Sequence, residues 1–224
     1  MAGAGADHPA IPKAQELKAR PGKIRIDLHL HSEYSPDSRT SLSDLIARCK
    51  EVGLDRIALT DHNTAEGARE LARREPDLAI VGEEIKTTEG EIIGLFLAET
   101  IEPRLTPEQT LDRIHDQGGL AYLAHPFDLR RARFDPRRVV ELADRVDIIE
   151  TYNQWSDLAA NQAAEAMAVQ LDLVRAWGSD SHAPPELGRV WMDMDPYSGP
   201  ADFLVKLRAA RPGRSPQSGR SRRA

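Results

Sequence analysis

Residues 23–60, KIRIDLHLHSEYSPDSRTSLSDLIARCKEVGLDRIALT, decide the fold class. KIRIDLHL (23–30) alternates apolar and polar side chains, the mark of a strand. SLSDLIARCKEVG (41–53) repeats its apolar residues at helical spacing and closes on Gly53. RIALT (56–60) reads as a second strand. Strand, helix and strand joined by short turns make a βαβ unit, whose strands run parallel. The pattern continues with a helix in TAEGARELARRE (64–75) and strands in LAIVGEEI (78–85) and EIIGLFLAE (91–99). Thr106 then caps a helix that has Pro107 at its first position and ends at Gly118-Gly119. LAYLA (120–124), a helix near 136–144, VDIIE (146–150), a helix over 156–171 and DLVRAWG (172–178) follow, with short elements to about residue 210. About seven strands, with no Gly-x-Gly-x-x-Gly turn after the first, favour a barrel over a nucleotide-binding doubly wound sheet.

The 224 residues suffice for one sizeable α/β domain, and 40% apolar with 29% charged residues is the composition of an ordinary globule. No apolar run approaches the ~20 residues that span a bilayer. The N-terminus, MAGAGADHPAIPKAQELKARPGK, lacks an uninterrupted apolar core, so no signal peptide and a cytoplasmic location are expected. A single cysteine, Cys49, excludes a disulfide framework and a Cys-rich zinc site; it falls in an amphipathic helix and should pack there. The net charge of −6 includes five arginines and no acid in RPGRSPQSGRSRRA (211–224), which leaves −11 for the rest. So acidic a body argues against a sequence-independent grip on nucleic acid. The expected organisation is a disordered N-terminal segment over 1–22, one domain over 23–210 and a basic disordered tail over 211–224.

Ionisable residues gather where the strands end. The first strand ends Asp27-Leu28-His29-Leu30-His31, and two-residue spacing on an extended chain puts both imidazoles on one face. The next ends Thr60-Asp61-His62, the third Gly82-Glu83-Glu84, LAYLA ends His125-Pro126, VDIIE ends Glu150, and the last ends Asp180-Ser181-His182. In a parallel α/β barrel these ends share one rim, so the residues should converge on metal. Each has a plainer reading: Asp61 as a helix cap, Glu84 in a salt bridge, His125 as a core histidine. Five of the seven histidines belong to the set, and its regular placement favours metal. His115, inside a helix, and His8, in the N-terminal segment, read as surface residues.

DLHLHSEYSPDS, ALTDHN, VGEEI, AHPFD and GSDSHAPPELG, in this order, resemble the PHP (polymerase and histidinol phosphatase) family of metal-dependent phosphoesterases, over about residues 24–194. The resemblance implies a distorted (β/α)7 barrel holding two or three divalent metals at its rim. It implies that His29, His31 and Asp180 ligate a first metal, that Glu84 bridges to a second and that His125 ligates that second. Asp37, His62 and His182 would cage a third. Many relatives carry a histidine where this chain has Glu91; a carboxylate there is an equally competent ligand. Glu84, Asp180 and His182 are the residues on which catalysis should depend.

Imidazole and carboxylate donors without thiolate suit zinc, manganese or iron. Divalent ions attract a phosphate ester and acidify water, and no Ser/His/Asp arrangement or P-loop points to a covalent route. Arg130 and Arg131, on the loop after His125-Pro126-Phe127-Asp128, are candidate phosphate clamps, with Arg133, Lys86 and Arg189 as more distant ones. Asn153 is expected to meet the substrate or to order the ligands. The expected function is hydrolysis of a phosphate ester on a small molecule: a nucleotide, a sugar or histidinol. Trimming of oligonucleotides and metal-dependent regulation without turnover are the alternatives. A small phosphorylated substrate is the expected partner, with no membrane and with nucleic acid only as an oligonucleotide substrate.

Overall fold

The structure is a computed structural model, and it describes residues 21–215. β1 (Ile24–Leu30), α1 (Leu42–Val52), β2 (Arg56–Leu59), α2 (Glu66–Arg74) and β3 (Ala79–Lys86) form two consecutive βαβ units. Their strands are parallel neighbours. Ser41 caps α1 by accepting the Asp44 N–H, while α2 starts without a side-chain cap.

The hairpin that follows breaks the parallel rule. β4 (Glu91–Leu95) begins only four residues after β3, too few for a crossover, so it pairs antiparallel, with Glu84 opposite Ile93 and Lys86 opposite Glu91. It ends sooner than its apolar run because Phe96 turns the chain at φ 62°. The reversal matters for the site. An antiparallel strand starts at the rim where its neighbours end, which delivers Glu91 beside Glu84.

α3 (Pro107–Asp116) opens on a complete capping box between Thr106 and Gln109. β5 (Leu120–Leu123) is antiparallel to β4 and parallel to β6 (Ile148–Asn153), which is parallel to β7 (Val174–Gly178). α4 (Pro136–Leu142) and α5 (Leu158–Leu171) cover the connections. Two structures share the outer edge of β1. Its first half pairs antiparallel with β8 (Val190–Met194), and its last residue bridges to Ser181, just beyond β7. Seven strands thereby form a nearly closed barrel. One apolar cluster runs through Ile26, Ala58, Ile80, Ile93, Tyr122 and Ile148 and reaches Phe203 of α6 (Gly199–Arg208). No helix among the described residues is long and apolar enough to cross a membrane.

The boundary at 210 needs correction. Residues 211–214 are not tail: Arg211–Arg214 form β9, antiparallel to β8, with Val190 opposite Arg214 and Asp193 opposite Arg211. Few apolar side chains argued for disorder, but backbone pairing needs none. Gly213 suits the position because its bare Cα lies against the Trp191 indole, where any Cβ would collide. The expectations for residues 1–20 and 216–224 lie outside the described residues.

Candidate metal centre

Two-residue spacing on β1 does what extended geometry requires. His29 and His31 turn the same way, and their Nε2 atoms stand 3.2 Å apart. Asp180, carried just past β7, brings Oδ1 to 3.2 Å from His31 Nε2 and 3.6 Å from His29 Nε2. Glu84, near the end of β3, places Oε2 3.4 Å from His29 Nε2, 3.3 Å from His31 Nε2 and 3.0 Å from His62 Nδ1. Its other oxygen lies 2.9 Å from His125 Nε2. Glu91 Oε2 is 3.8 Å from the same His125 nitrogen. At the mouth, Asp37 Oδ2 is 3.3 Å from both His62 Nε2 and His182 Nε2.

This arrangement fits divalent cations. Among the described residues, four sets each have donor atoms within 4.8 Å of one another: His29-His31-Asp180, His29-Glu84-His125, His62-Glu84-Glu91 and His31-His62-His182. Asp180 Oδ1 and Glu84 Oε2 are buried without a well-aligned hydrogen bond, although imidazole nitrogens stand 3.0–3.6 Å away, and a cation between them would satisfy both oxygens. Two donors sit on strained backbone: Asp180 has φ 50°, and His125 has φ 27° directly before Pro126.

A layer of partners fixes these rings. Glu150 Oε1 is 3.0 Å from His29 Nδ1, and Glu150 Oε2 accepts the His125 backbone N–H at 2.7 Å. Glu150 is thus an orienting carboxylate rather than a donor at the rim. Tyr122 Oη donates to it at 3.1 Å. Ser35 Oγ lies 3.1 Å from His31 Nδ1 and donates to Asp61 Oδ1. Asp61 also accepts from the Ser32 N–H and hydroxyl, so it caps the loop after β1 and neither starts a helix nor joins a donor set. Gly178 is required here, since a Cβ would strike Glu150 Oε1 and His29.

The electrostatics follow from burial and charge. Burial alone would lower His29, but Glu150, Glu84 and Asp180 outweigh it and hold its pKa well above the ordinary value. Burial dominates at His31 and brings it down to about 4, leaving its nitrogens neutral. At His62, burial is outweighed by the hydrogen bond and charge of Glu84, and the pKa rises to about 9. Burial would raise Glu84 and Asp180, yet the charge of His29 on the first and of Arg131 on the second keeps both well below the carboxylate range. Glu91 is pushed up, by burial and then by the Glu84 charge.

The candidate substrate residues separate. Arg131 Nη1 reaches Asp180 Oδ2 at 2.5 Å and so points into the centre. Arg130 is spent elsewhere: it forks onto Asp128 and donates to the Trp155 carbonyl. Asn153 is buried and fully engaged, donating to Asp180 Oδ2 and Glu150 Oε2 while its oxygen accepts from Trp155 N–H. These contacts are those of an ordering group. Lys86 is exposed, and Arg189 folds back on the Pro185 carbonyl. Cys49 is buried, its thiol pushed up by burial to about 12, and His115 pairs with Asp147 at the surface.

Ser35, Tyr122, Glu150 and Trp155, whose Nε1 donates to the Asp180 carbonyl, complete the centre without being singled out as orienting groups from the sequence. A tyrosine in the otherwise apolar LAYLA strand was a signal: a buried phenol requires a partner.

Comparison with known proteins gives the family. The PHP domain profile matches residues 27–157 and the PHP-associated profile residues 159–212. An uncharacterized protein of Methanocaldococcus jannaschii is 35% identical over 197 residues, covering 83% of this chain and 79% of its own. The probable phosphatase YcdX of Escherichia coli O139:H28 is 27% identical over 198 residues, with 73% and 80% covered. A two-domain Bacteroides vulgatus protein, described as containing a predicted PHP-like metal-dependent phosphoesterase, superposes with a TM-score of 0.68 at 17% identity, covering 94% of this chain and 69% of that one. With the PHP domain profile spanning more than half of the sequence, the chain belongs to the PHP family of metal-dependent phosphoesterases.

Proposed function

We propose that this chain hydrolyses phosphate monoesters of small molecules with water as the nucleophile. One observation carries the reading: two buried carboxylate oxygens without a well-aligned hydrogen bond, on Glu84 and Asp180, stand among the imidazoles of His29, His31, His62 and His125. His29, His31 and Asp180 would hold one ion, Glu84 would share itself between this ion and a second held with His125 and Glu91, and Asp37, His62 and His182 would hold a third. Zinc, manganese or iron suits such donors. Divalent ions supply Lewis acidity there, offsetting phosphate charge and lowering the pKa of water.

The protein's own groups do the rest. Glu150 holds the His29 ring by Nδ1, so its Nε2 faces the centre. Asn153 steadies Asp180 through Oδ2. Arg131, about one-quarter exposed, presents its guanidinium beside Asp180 and is the group placed to clamp phosphate oxygens. Asp128 anchors the loop that carries it by holding Arg130. Most donors are buried, and Asp37, His62 and Glu91 are the partly exposed ones, so a phosphate on a small leaving group would approach from their side.

A panel of phosphomonoesters, with and without chelator, tests this beside a labelled oligonucleotide. Chelator-sensitive release of phosphate from small esters is expected. Progressive shortening of the oligonucleotide, without monoester turnover, would transfer the reading to an exonuclease. No turnover of any ester by metal-loaded protein would leave a binding role.

A further inference from the structure

A second cleft, of about 520 Å³, lies behind the strands that carry the centre and uses none of its donors. Asn153 turns toward Asp180, so its neighbour Tyr152 points to the other face of β6. Tyr152 is in register with Trp177 on β7, and their rings stack with centroids 4.5 Å apart and planes 29° apart. Leu158 of α5, Met192 of β8 and Leu207 of α6 add apolar wall. The volume lies in the range that takes a small organic molecule.

The charge is unlike that of the rest of the chain. Arg175, Arg208 and Arg214 line the cleft against one acid, Glu165, in a protein whose net charge is −6. Arg214 on β9 stands 5.5 Å over the Tyr152 ring, with Nη1 3.3 Å from the phenol oxygen. Among the described residues no carboxylate lies within ion-pair distance of it. Arg175 and Arg208 pair with Glu165 and Asp172 at 2.7 and 2.9 Å, but on exposed side chains, where such pairs contribute little and give way readily. An aromatic floor with a cationic rim suits a flat ring bearing an anionic group.

We infer that this cleft binds a small aromatic phosphate of the mononucleotide class, its ring against the Tyr152–Trp177 pair and its phosphate on Arg214. The inference does not rest on the hydrolytic reading, because binding is to be measured on full-length protein held metal-free with chelator. Adenosine 5′-monophosphate is the probe, followed by calorimetry and by tryptophan fluorescence. Saturable binding of one equivalent is expected, with adenosine alone and inorganic phosphate alone each weaker by about tenfold or more. Arg214→Gln and Trp177→Leu should each weaken binding by about tenfold or more, and Glu84→Gln should leave it unchanged. Arg175→Glu, on an exposed side chain, gives the same readout should Trp177→Leu fail to fold. Absence of saturable binding, binding indifferent to the arginine changes, or binding lost in Glu84→Gln would overturn the inference.

Discussion

Glu84→Gln isolates one charge at the centre of the site. The change preserves shape, and the Gln amide oxygen can still face His125. It removes the negative charge that lies 3.0–3.4 Å from three imidazole nitrogens where ions are to be held. A unit charge pair at 4 Å is worth about 4 kcal/mol at an effective dielectric of ~20. Against a divalent ion the gross loss is larger, and water recovers part of it. About 4 kcal/mol is therefore the expected scale, equivalent to a fall of ~10³-fold in kcat/KM. The assay is kcat/KM for an aryl phosphate across a metal titration, with circular dichroism to confirm the fold. Glu83→Gln is the control. Glu83 faces away, accepting the Ile101 N–H through Oε2 at 2.8 Å, and its loss should cost far less turnover. A Glu84→Gln enzyme within about tenfold of wild type at every metal concentration would refute the bridging role. If Glu83→Gln failed instead, the side facing the metals would have been misassigned.

Glu91→Ala should lower the occupancy of the second ion, the one held with His125 and Glu84, while Glu91→His should keep it; elemental analysis of both variants decides. Glu83 gives a pH signature, because burial raises its carboxyl from 4.5 to about 8. The unfolded chain ionises near 4.5 and the folded one resists until about 8, so this contribution is full below 4.5 and is lost as pH rises through 8, at about 1.4 kcal/mol per pH unit in between. Urea denaturation of the metal-free protein at pH 5, 6.5 and 8 should show stability falling more steeply with pH in wild type than in Glu83→Gln, the difference being the Glu83 contribution; identical slopes would contradict it. Deleting 211–224 strips β9 from β8 and uncovers Trp191, now 3% exposed. The expected cost is about 2 kcal/mol, or roughly 4–8 °C in Tm, and an unchanged melting curve would show β9 to be dispensable.

Much of the donor cluster was legible because its signal is local. Asp27, His29 and His31 alternate on one strand, and metal-type residues recur where apolar runs stop, so spacing and position suffice to place them. Asp27 shows the limit. It shares the face of His29 yet lies deeper, accepting the Ser179 N–H, with burial holding its carboxyl up at about 7. Alternation gives a side chain's face but not its depth. Glu150 reads as a strand end in VDIIE, but β6 runs on to Asn153, and the contact across to His29 gives Glu150 its orienting place. The fate of Arg130 and Arg131 was equally hidden, since both follow the same motif and differ only in which carboxylate each meets. β9 was missed because its evidence is backbone pairing with a strand some 20 residues earlier, and pairing leaves no mark in side-chain composition.

The central claim is that this rim holds catalytic divalent metal, and metal content per chain tests it most directly. Protein reconstituted separately with zinc, manganese and iron, then desalted, should retain about two to three ions per chain by plasma mass spectrometry. The double variant His29→Ala, His31→Ala should lose at least one of them. Wild-type protein that remains metal-free with all three, or a double variant that keeps its full complement, would contradict the account.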